Sequence, residues 1–224
     1  MDKVNMRYKG FTLVEVLIAM AVGAIIMAAI YGLMTTAQKT STSLDRKVIA
    51  QQDTRAVLDL MAMEIRMASY NPSYANTVWG NSSLACVPSV TISPISNKGI
   101  KIATPNQLAA AMDLDGSGTI GDVSNEYIVY SYDGASTLTR SVSCASSDII
   151  GGSAPFSKIR NAAAGVSLFQ YFDKDDNPTA NIPDIRRIVI TIASETSEIN
   201  LNTKQPNKLV YSTSVVVRNH AISP

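Results

Sequence analysis

Residues 1–30, MDKVNMRYKGFTLVEVLIAMAVGAIIMAAI, decide how this chain is organised. No side chain is charged from Val16 to Met34, and these 19 residues as a helix span about 28 Å, close to the hydrocarbon thickness of a bilayer. In residues 1–10, three basic residues, Lys3, Arg7 and Lys9, outnumber one acidic residue, Asp2. The positive-inside rule therefore predicts that the N-terminus stays in the cytoplasm and that the C-terminal part crosses the membrane.

One carboxylate, Glu15, interrupts an apolar run that otherwise extends from Phe11 to Met34. A charge at membrane depth costs several kcal/mol unless something pairs with it, so the position of Glu15 needs an explanation. An ordinary secretory signal has its cleavage site after the apolar run, whereas here the suggestive junction, Gly10-Phe11, lies before it. Composition alone also fits a plain anchor helix that is never cleaved.

The stretch KGFTLVEVLIAMAV (9–22) resembles the class III signal of type IV pilins and of the pseudopilins of type II secretion. The resemblance is strong over residues 1 to about 35. It implies that a prepilin peptidase removes a leader of residues 1–10 by cutting between Gly10 and Phe11, and then methylates the new amine of Phe11. It also implies that Glu15 pairs with the Phe11 amine of a neighbouring subunit in a filament. Pairing within the same chain is the alternative.

The helix is expected to continue beyond the membrane. A transmembrane and assembly helix is predicted over residues 11–34, and an amphipathic helix over 35–70, before Asn71-Pro72 stops it. The KTSTS stretch (39–43) is its weakest part and is a candidate bend. An apolar stripe recurs at helical spacing along the second half: Leu44, Val48, Leu58, Met61 and Ile65.

Residues 71–224 are predicted to form a β-rich globular domain. The segment EYIVYSYDGASTLTRSV (126–142) predicts two strands around Asp133-Gly134, and alternating patterns follow at 165–172, 184–193 and 208–217. The apolar face formed by Ile188, Ile190 and Ile192 needs a cover, which the Leu/Met-rich helix 57–67 can provide. The expected fold is therefore α+β and pilin-like, with a long N-terminal helix packed on an antiparallel β-sheet.

The segments RAVLDLMAMEIRMASYNP, NEYIVYSYDGASTLTR and IRRIVITI resemble, more loosely, PilW-type minor pilins and minor pseudopilin J. This resemblance implies a structural minor pilin that helps to initiate assembly of a type IV pilus. Its partners would be the prepilin peptidase, other minor pilins, the major pilin and the assembly platform. The protein would begin in the inner membrane with its C-terminal domain in the periplasm, and end in the pilus fibre at the cell surface. A pseudopilin of type II secretion, and a pilus-tip adhesin or DNA-uptake pilin, are the alternatives.

The chain has two cysteines, Cys86 and Cys144, and both lie in the part expected to be exported. An isolated pair in an oxidising periplasm is expected to form a disulfide. Two free, buried thiols are the alternative.

The segment DLDGSGTIGD (113–122) partly matches an EF-hand loop. The match fails at the twelfth position, where Ser124 replaces the bidentate glutamate, although Asp122 or Glu126 can substitute for it. An Asp/Gly-rich turn without metal is the alternative. No other cofactor is predicted. The candidate Ca²⁺ ligands are Asp113, Asp115, Ser117, Thr119 and Asp122.

The sequence predicts no enzyme, because no catalytic motif appears and the single histidine, His220, lies four residues from the C-terminus. Removal of residues 1–10 would leave 16 Lys+Arg and 17 Asp+Glu, which is a formal net charge of −1. No run of basic residues stands out, so no direct nucleic-acid site is predicted.

Overall fold

A computed structural model describes residues 10–87, 95–151, 157–199 and 204–221 of the chain. The chain forms two compact units, Met1–Asp45 and Arg46–Pro224. Of the predicted leader, only Gly10 belongs to the described residues.

Helix α1 runs from Leu13 to Arg66 and contains 54 residues. The candidate bend at 39–43 is helical. Thr35 and Thr36 both donate their hydroxyl hydrogens to the carbonyl of Gly32, at 3.0 and 2.9 Å, and Thr40 bonds the carbonyl of Thr36 at 3.0 Å. These side-chain bonds satisfy the hydroxyl groups within the helix, so the hydroxyls do not compete for the backbone in a non-helical conformation.

The first part of α1 is apolar around its whole circumference. Every residue from Gly10 to Met34 is exposed, including large side chains such as Leu13, Ile25 and Tyr31. The helix is long and apolar enough to cross a membrane, with a mean hydropathy of 2.6 over its most apolar window. A helix with no polar face needs an apolar environment on all sides, either lipid or neighbouring helices.

The second part of α1 buries one face against the β-rich unit. Leu44 and Val48 of the predicted stripe are 58% and 48% exposed, so the buried face begins only at Ala50. The stripe is therefore a packing surface only over its C-terminal half, where it has no polar interruption. The buried helix residues are Ala50, Thr54, Leu58, Met61, Ala62 and Ile65.

Helix α1 ends at Arg66, and residues 67–69 continue the chain as turns up to Tyr70. Ser69 adopts a φ of 65°, which is incompatible with a helix, and its N–H donates to the carbonyl of Ala111 at 2.9 Å. The helix therefore ends four residues earlier than the sequence pattern predicted, at Arg66 rather than at Tyr70. The hydrogen bond from Ser69 to the sheet takes the place of a further helical turn.

The first sheet is antiparallel and has the order β1-β2-β3-β4-β5. The predicted hairpin forms β3 and β4, which are joined by a turn containing Gly134 at a φ of 77°. The strands are β1 (Ile100–Ala103), β2 (Gln107–Ala111), β3 (Tyr127–Tyr132), β4 (Leu138–Val142) and β5 (Asp148–Gly151).

The second sheet centres on β8, which pairs with β6 and β7 on one side and with β9 on the other. Ile188, Ile190 and Ile192 are fully buried and pack in one core with the buried helix residues, as their alternation predicted. The strands are β6 (Ser157–Ile159), β7 (Phe169–Phe172), β8 (Arg187–Ile199) and β9 (Pro206–Val216).

Short helices connect these strands. The α-helices are α2 (Asn161–Ala164) and α3 (Arg218–Ala221). There are also 3₁₀ turns at Asn76–Gly80, Ile95–Asn97 and Ile182–Asp184. The fold is α+β, with the second part of the long helix packed on antiparallel sheets, which confirms the predicted fold class.

Candidate functional site

The Gly10-Phe11 bond lies outside the helix. Gly10 and Phe11 are both exposed, Phe11 by 82%, and α1 begins two residues later at Leu13. A methyl group added at Gly10 would meet no atom of the described residues within 4 Å, its chain neighbours aside. The described part of the structure therefore does not itself require glycine at position 10.

Thr12 forms the N-terminal cap of α1. Its Oγ1 accepts the backbone N–H of Glu15 at 3.3 Å, and its carbonyl accepts the N–H of Val16 at 3.2 Å. The spacing Thr-x-x-Glu is that of a capping box, a start signal that the apolar pattern alone does not reveal. The cap fixes the end of the helix just after Phe11.

Glu15 lies in the first turn of α1 and is exposed. A carboxylate in the first turn interacts favourably with the positive end of the helix dipole, by about 0.3–1 kcal/mol at an exposed site. This is much less than the several kcal/mol that a charge loses in lipid, so the helix end alone does not balance Glu15.

Sequence inspection missed a second important carboxylate, Glu64. Arg140 of β4 donates to it through Nε, 3.0 Å from Oε2, and through Nη2, 2.5 Å from Oε1, while the Tyr130 hydroxyl also donates to Oε2. Burial and the Glu64 carboxylate raise the pKa of Tyr130, and the hydrogen bond to Glu64 raises the pKa of Arg140. Glu64 lies three residues after Met61, which places the two side chains next to each other on the helix surface. This spacing is the sequence signal that could have indicated that Glu64 faces the sheet.

The structure joins Cys86 to Cys144 in a disulfide, with 6.1 Å between their Cα atoms. The bond links the segment after the Asn76–Gly80 turn to the end of β4, which are 58 residues apart in sequence. Val87, the residue after Cys86, is buried in a small second core together with Trp79 and Ile120.

The acidic loop 113–122 brings together a set of carboxylates that differs from the predicted set. Asp113, Asp115 and Glu126 have oxygen atoms within 4.8 Å of one another. Ser117 instead turns its hydroxyl to the carbonyl of Thr119, at 3.3 Å. Asp122 lies outside this group, and the hydrogen bond from Ser117 lowers its pKa.

The buried carboxylates of this loop already accept backbone hydrogen bonds. Asp113 accepts the N–H groups of Gly116 and Gly118 at 2.7 and 3.0 Å, and Glu126 accepts those of Leu114 and Gly121 at 2.8 Å each. Burial raises the pKa of Glu126. Three carboxylates suit a hard cation such as Ca²⁺. However, the backbone amides alone explain why Asp113 is buried, so Ca²⁺ binding stays a prediction.

His220 is buried and hydrogen-bonded, although it lies four residues from the C-terminus. Its Nδ1 lies 2.8 Å from the Ser69 hydroxyl, and its Nε2 lies 2.8 Å from the carbonyl of Ile182. Since a carbonyl only accepts, Nε2 carries the proton and Nδ1 accepts from Ser69.

The environment of His220 favours its neutral form. Burial, together with repulsion by Lys98 and Arg186, lowers the pKa of His220 to about 4. Such a histidine is a weak base at neutral pH, so its contact with Ser69 does not make an activated nucleophile. The cluster joins the end of α1 to the C-terminal helix α3 and supports a structural role.

The comparisons with known proteins concern the N-terminus. Residues 5–31 match the family model described as the prokaryotic N-terminal methylation motif. No curated protein and no solved structure matches the chain. The motif supports a pilin-like or pseudopilin-like class, whose members are structural rather than enzymatic, and implies processing by a prepilin peptidase.

Proposed function

We propose that this chain is the precursor of a structural filament subunit, a minor pilin of the PilW type that helps to initiate a type IV pilus. The observation that carries the proposal is the coincidence of two features in one segment. The methylation motif covers residues 5–31, and the same residues from Leu13 onward form an exposed helix whose surface is apolar except for Glu15.

The position of the Gly10-Phe11 bond supports cleavage there. A peptidase must bind its substrate as an extended chain, and this bond precedes the cap residue Thr12 and is exposed. Cleavage would make Phe11 the first residue and remove residues 1–10. Because a side chain at position 10 would meet no atom of the described residues, we attribute the glycine to the requirements of the peptidase.

Glu15 would direct assembly through its charge. After cleavage, the Phe11 amine adds a positive charge at the end of the helix, one turn from Glu15. Moving an unpaired carboxylate into the apolar helix bundle has an unfavourable desolvation free energy. Pairing with the Phe11 amine of a neighbouring subunit offsets that cost. Subunits that join in the wrong register would leave Glu15 unpaired.

Membrane anchoring supplies the starting state of this pathway. Residues 11–34 would span the inner membrane, and the helix would continue in the periplasm from residue 35 to its end at Arg66, with the β-rich domain attached. The Cys86–Cys144 disulfide is consistent with an oxidising compartment. We expect the assembly platform to extract the processed subunit, whose partners would be other minor pilins and the major pilin.

A minor pseudopilin of type II secretion remains the closest alternative, since the same motif and pathway serve that machine. The two differ in phenotype. Deletion of a minor pilin removes surface pili, whereas deletion of a pseudopilin stops secretion of folded enzymes. The first outcome is the one that this proposal requires.

The Glu15→Ala variant tests the assembly step. We expect the leader to be removed normally, because the Gly10-Phe11 bond is unchanged, while incorporation into sheared filaments falls sharply. Glu15→Gln is the matched control for shape, since it keeps the length of the side chain but not its charge, and it should fail in the same way. Normal incorporation of either variant would contradict the pairing of Glu15.

A further inference from the structure

Strand β9 forms a long edge of the second sheet. Its partner β8 pairs along one side of it, from Arg187 with Val216 to Glu195 with Lys208. Within the described ranges, no strand pairs with the opposite side. At 11 residues β9 is also far longer than β1 and β5, the edges of the first sheet, which have four residues each.

The register identifies which backbone groups point away from the sheet. The N–H of Val217 donates to the carbonyl of Arg186 at 2.9 Å, so odd-numbered residues of β9 face β8 and even-numbered residues face outward. The outward residues are exposed, and their backbone groups make no hydrogen bond to any part of the chain that the structure describes. They are Val210, Ser212, Ser214 and Val216.

Pro206 and Lys208 lie at the start of this edge, but the rest of it lacks the usual protection against pairing. Residues 209–217, LVYSTSVVV, contain no charge, proline or glycine, and are rich in β-formers. Natural edge strands are commonly blunted by lysine, proline or a bulge, because an open edge is a template for another strand. The segment from Val210 to Val216 has none of these features.

Positive charges lie at both ends of this neutral segment. Lys208 precedes it and Arg218, the first residue of α3, follows it, and both are exposed. The register partner of Lys208, Glu195, is already bound to Arg160 at 3.2 Å. Among the residues that the structure covers, neither Lys208 nor Arg218 has an ion pair.

We propose that the outer edge of β9 binds an extended strand of a different protein chain, one with a neutral, β-forming centre and acidic residues at both ends. Its backbone would pair with the four outward residues, and its acidic ends would face Lys208 and Arg218. A second copy of this chain fits less well. If two copies of β9 pair in an antiparallel arrangement that uses all four outward residues, Lys208 of one copy lies opposite Arg218 of the other. Like charges directly opposite each other are destabilising. This inference does not depend on the proposed filament role.

Peptide binding to the full-length chain in detergent micelles tests the proposal. The probe is a short fluorescent peptide of alternating valine and threonine with two glutamates at each end, and the control has lysines at the ends. We expect fluorescence anisotropy to show about tenfold tighter binding of the acidic peptide. Exchange of both flanking charges, in K208E/R218E, should reverse this preference.

Proline at an outward position tests the backbone pairing itself. Ser214→Pro removes an N–H that makes no bond within the sheet, so an edge strand tolerates it, whereas Ser214→Thr keeps the N–H. We expect the proline variant to bind the acidic peptide about tenfold more weakly and the threonine variant to bind it normally. Fluorescence of the single tryptophan, Trp79, confirms that both variants are folded.

Three outcomes would overturn the proposal. The first is that neither peptide binds the unaltered chain. The second is equal binding of the two peptides, which would remove the role of Lys208 and Arg218. The third is a dimer of the unaltered chain that Ser214→Pro abolishes, because it would make a second copy the occupant. If Ser214→Pro does not fold, the surface variant K208E/R218E decides by itself.

Discussion

Replacement of Glu64 by alanine should destabilise the β-rich unit strongly. The substitution removes the two Glu64 oxygens that accept from Arg140, one of which also accepts from Tyr130. It leaves a guanidinium that is only 18% exposed, with the Asn125 side-chain oxygen, 3.1 Å from Nη2, as a remaining acceptor. Loss of one partner of a buried ion pair costs about 3–5 kcal/mol, and the remaining exposure places this pair near the lower limit, at about 3 kcal/mol. With a urea dependence of about 2 kcal/mol per molar, the unfolding midpoint should fall by about 1.5 M.

The assay is urea unfolding of the mature chain in detergent micelles, followed by the fluorescence of the single, buried Trp79. Glu195→Ala is the matched control, since its partner Arg160 is 38% exposed and such pairs contribute only about 0–1 kcal/mol. The E64L/R140L/Y130F variant replaces the whole polar group by apolar side chains and should recover most of the loss. A Glu64→Ala variant that is no less stable than Glu195→Ala would refute this account.

The remaining predictions concern acid, oxidation and calcium. The pKa of His220 is about 4 when folded and 6.5 when unfolded, so the unfolded state binds more protons between these values and stability should fall by up to about 3 kcal/mol as the pH drops from 6.5 to 4. His220→Gln should flatten this part of a pH–stability curve, and an unchanged slope would show that other groups cause it. Reduction of the Cys86–Cys144 disulfide, which closes a loop of 58 residues, should lower stability by about 4 kcal/mol in the chain-entropy treatment. A melting temperature that does not respond to reductant would contradict that role. Calcium at ten times its dissociation constant should stabilise the acidic loop by about 1.4 kcal/mol. Asp115→Asn should abolish the effect because it removes one carboxylate of the cluster, and Asp115 is the member that is exposed. A melting temperature that is insensitive to calcium would count against the site.

The elements that the sequence predicted are those whose patterns are dense and local. The apolar run, the Asp133-Gly134 turn and the alternating isoleucines of β8 each specify one structure with little competition. Strands β1 and β2 were not predicted from the sequence. Strand β2 is largely alanine, a residue that is depleted in strands. Their pairing to β3 comes from burial in the core, which a local pattern does not reveal.

The site residues divide in the same way. Gly10, Phe11 and Glu15 belong to one contiguous motif, so their identification needed no tertiary structure. Tertiary contacts define the roles of Glu64 and His220, whose partners lie 38 to 151 residues away in sequence. The extent of the apolar stripe was also overestimated, because helical spacing does not tell whether Leu44 has a surface to pack against.

The N-terminal mass of protein recovered from sheared surface filaments tests the central claim most directly. The account predicts a chain that begins at Phe11, carries one methyl group on its terminal amine and is found in the filament fraction. Filament protein that still carries residues 1–10, in cells with an active prepilin peptidase, would contradict it. A fully processed chain that never enters filaments would contradict the proposed role as a subunit.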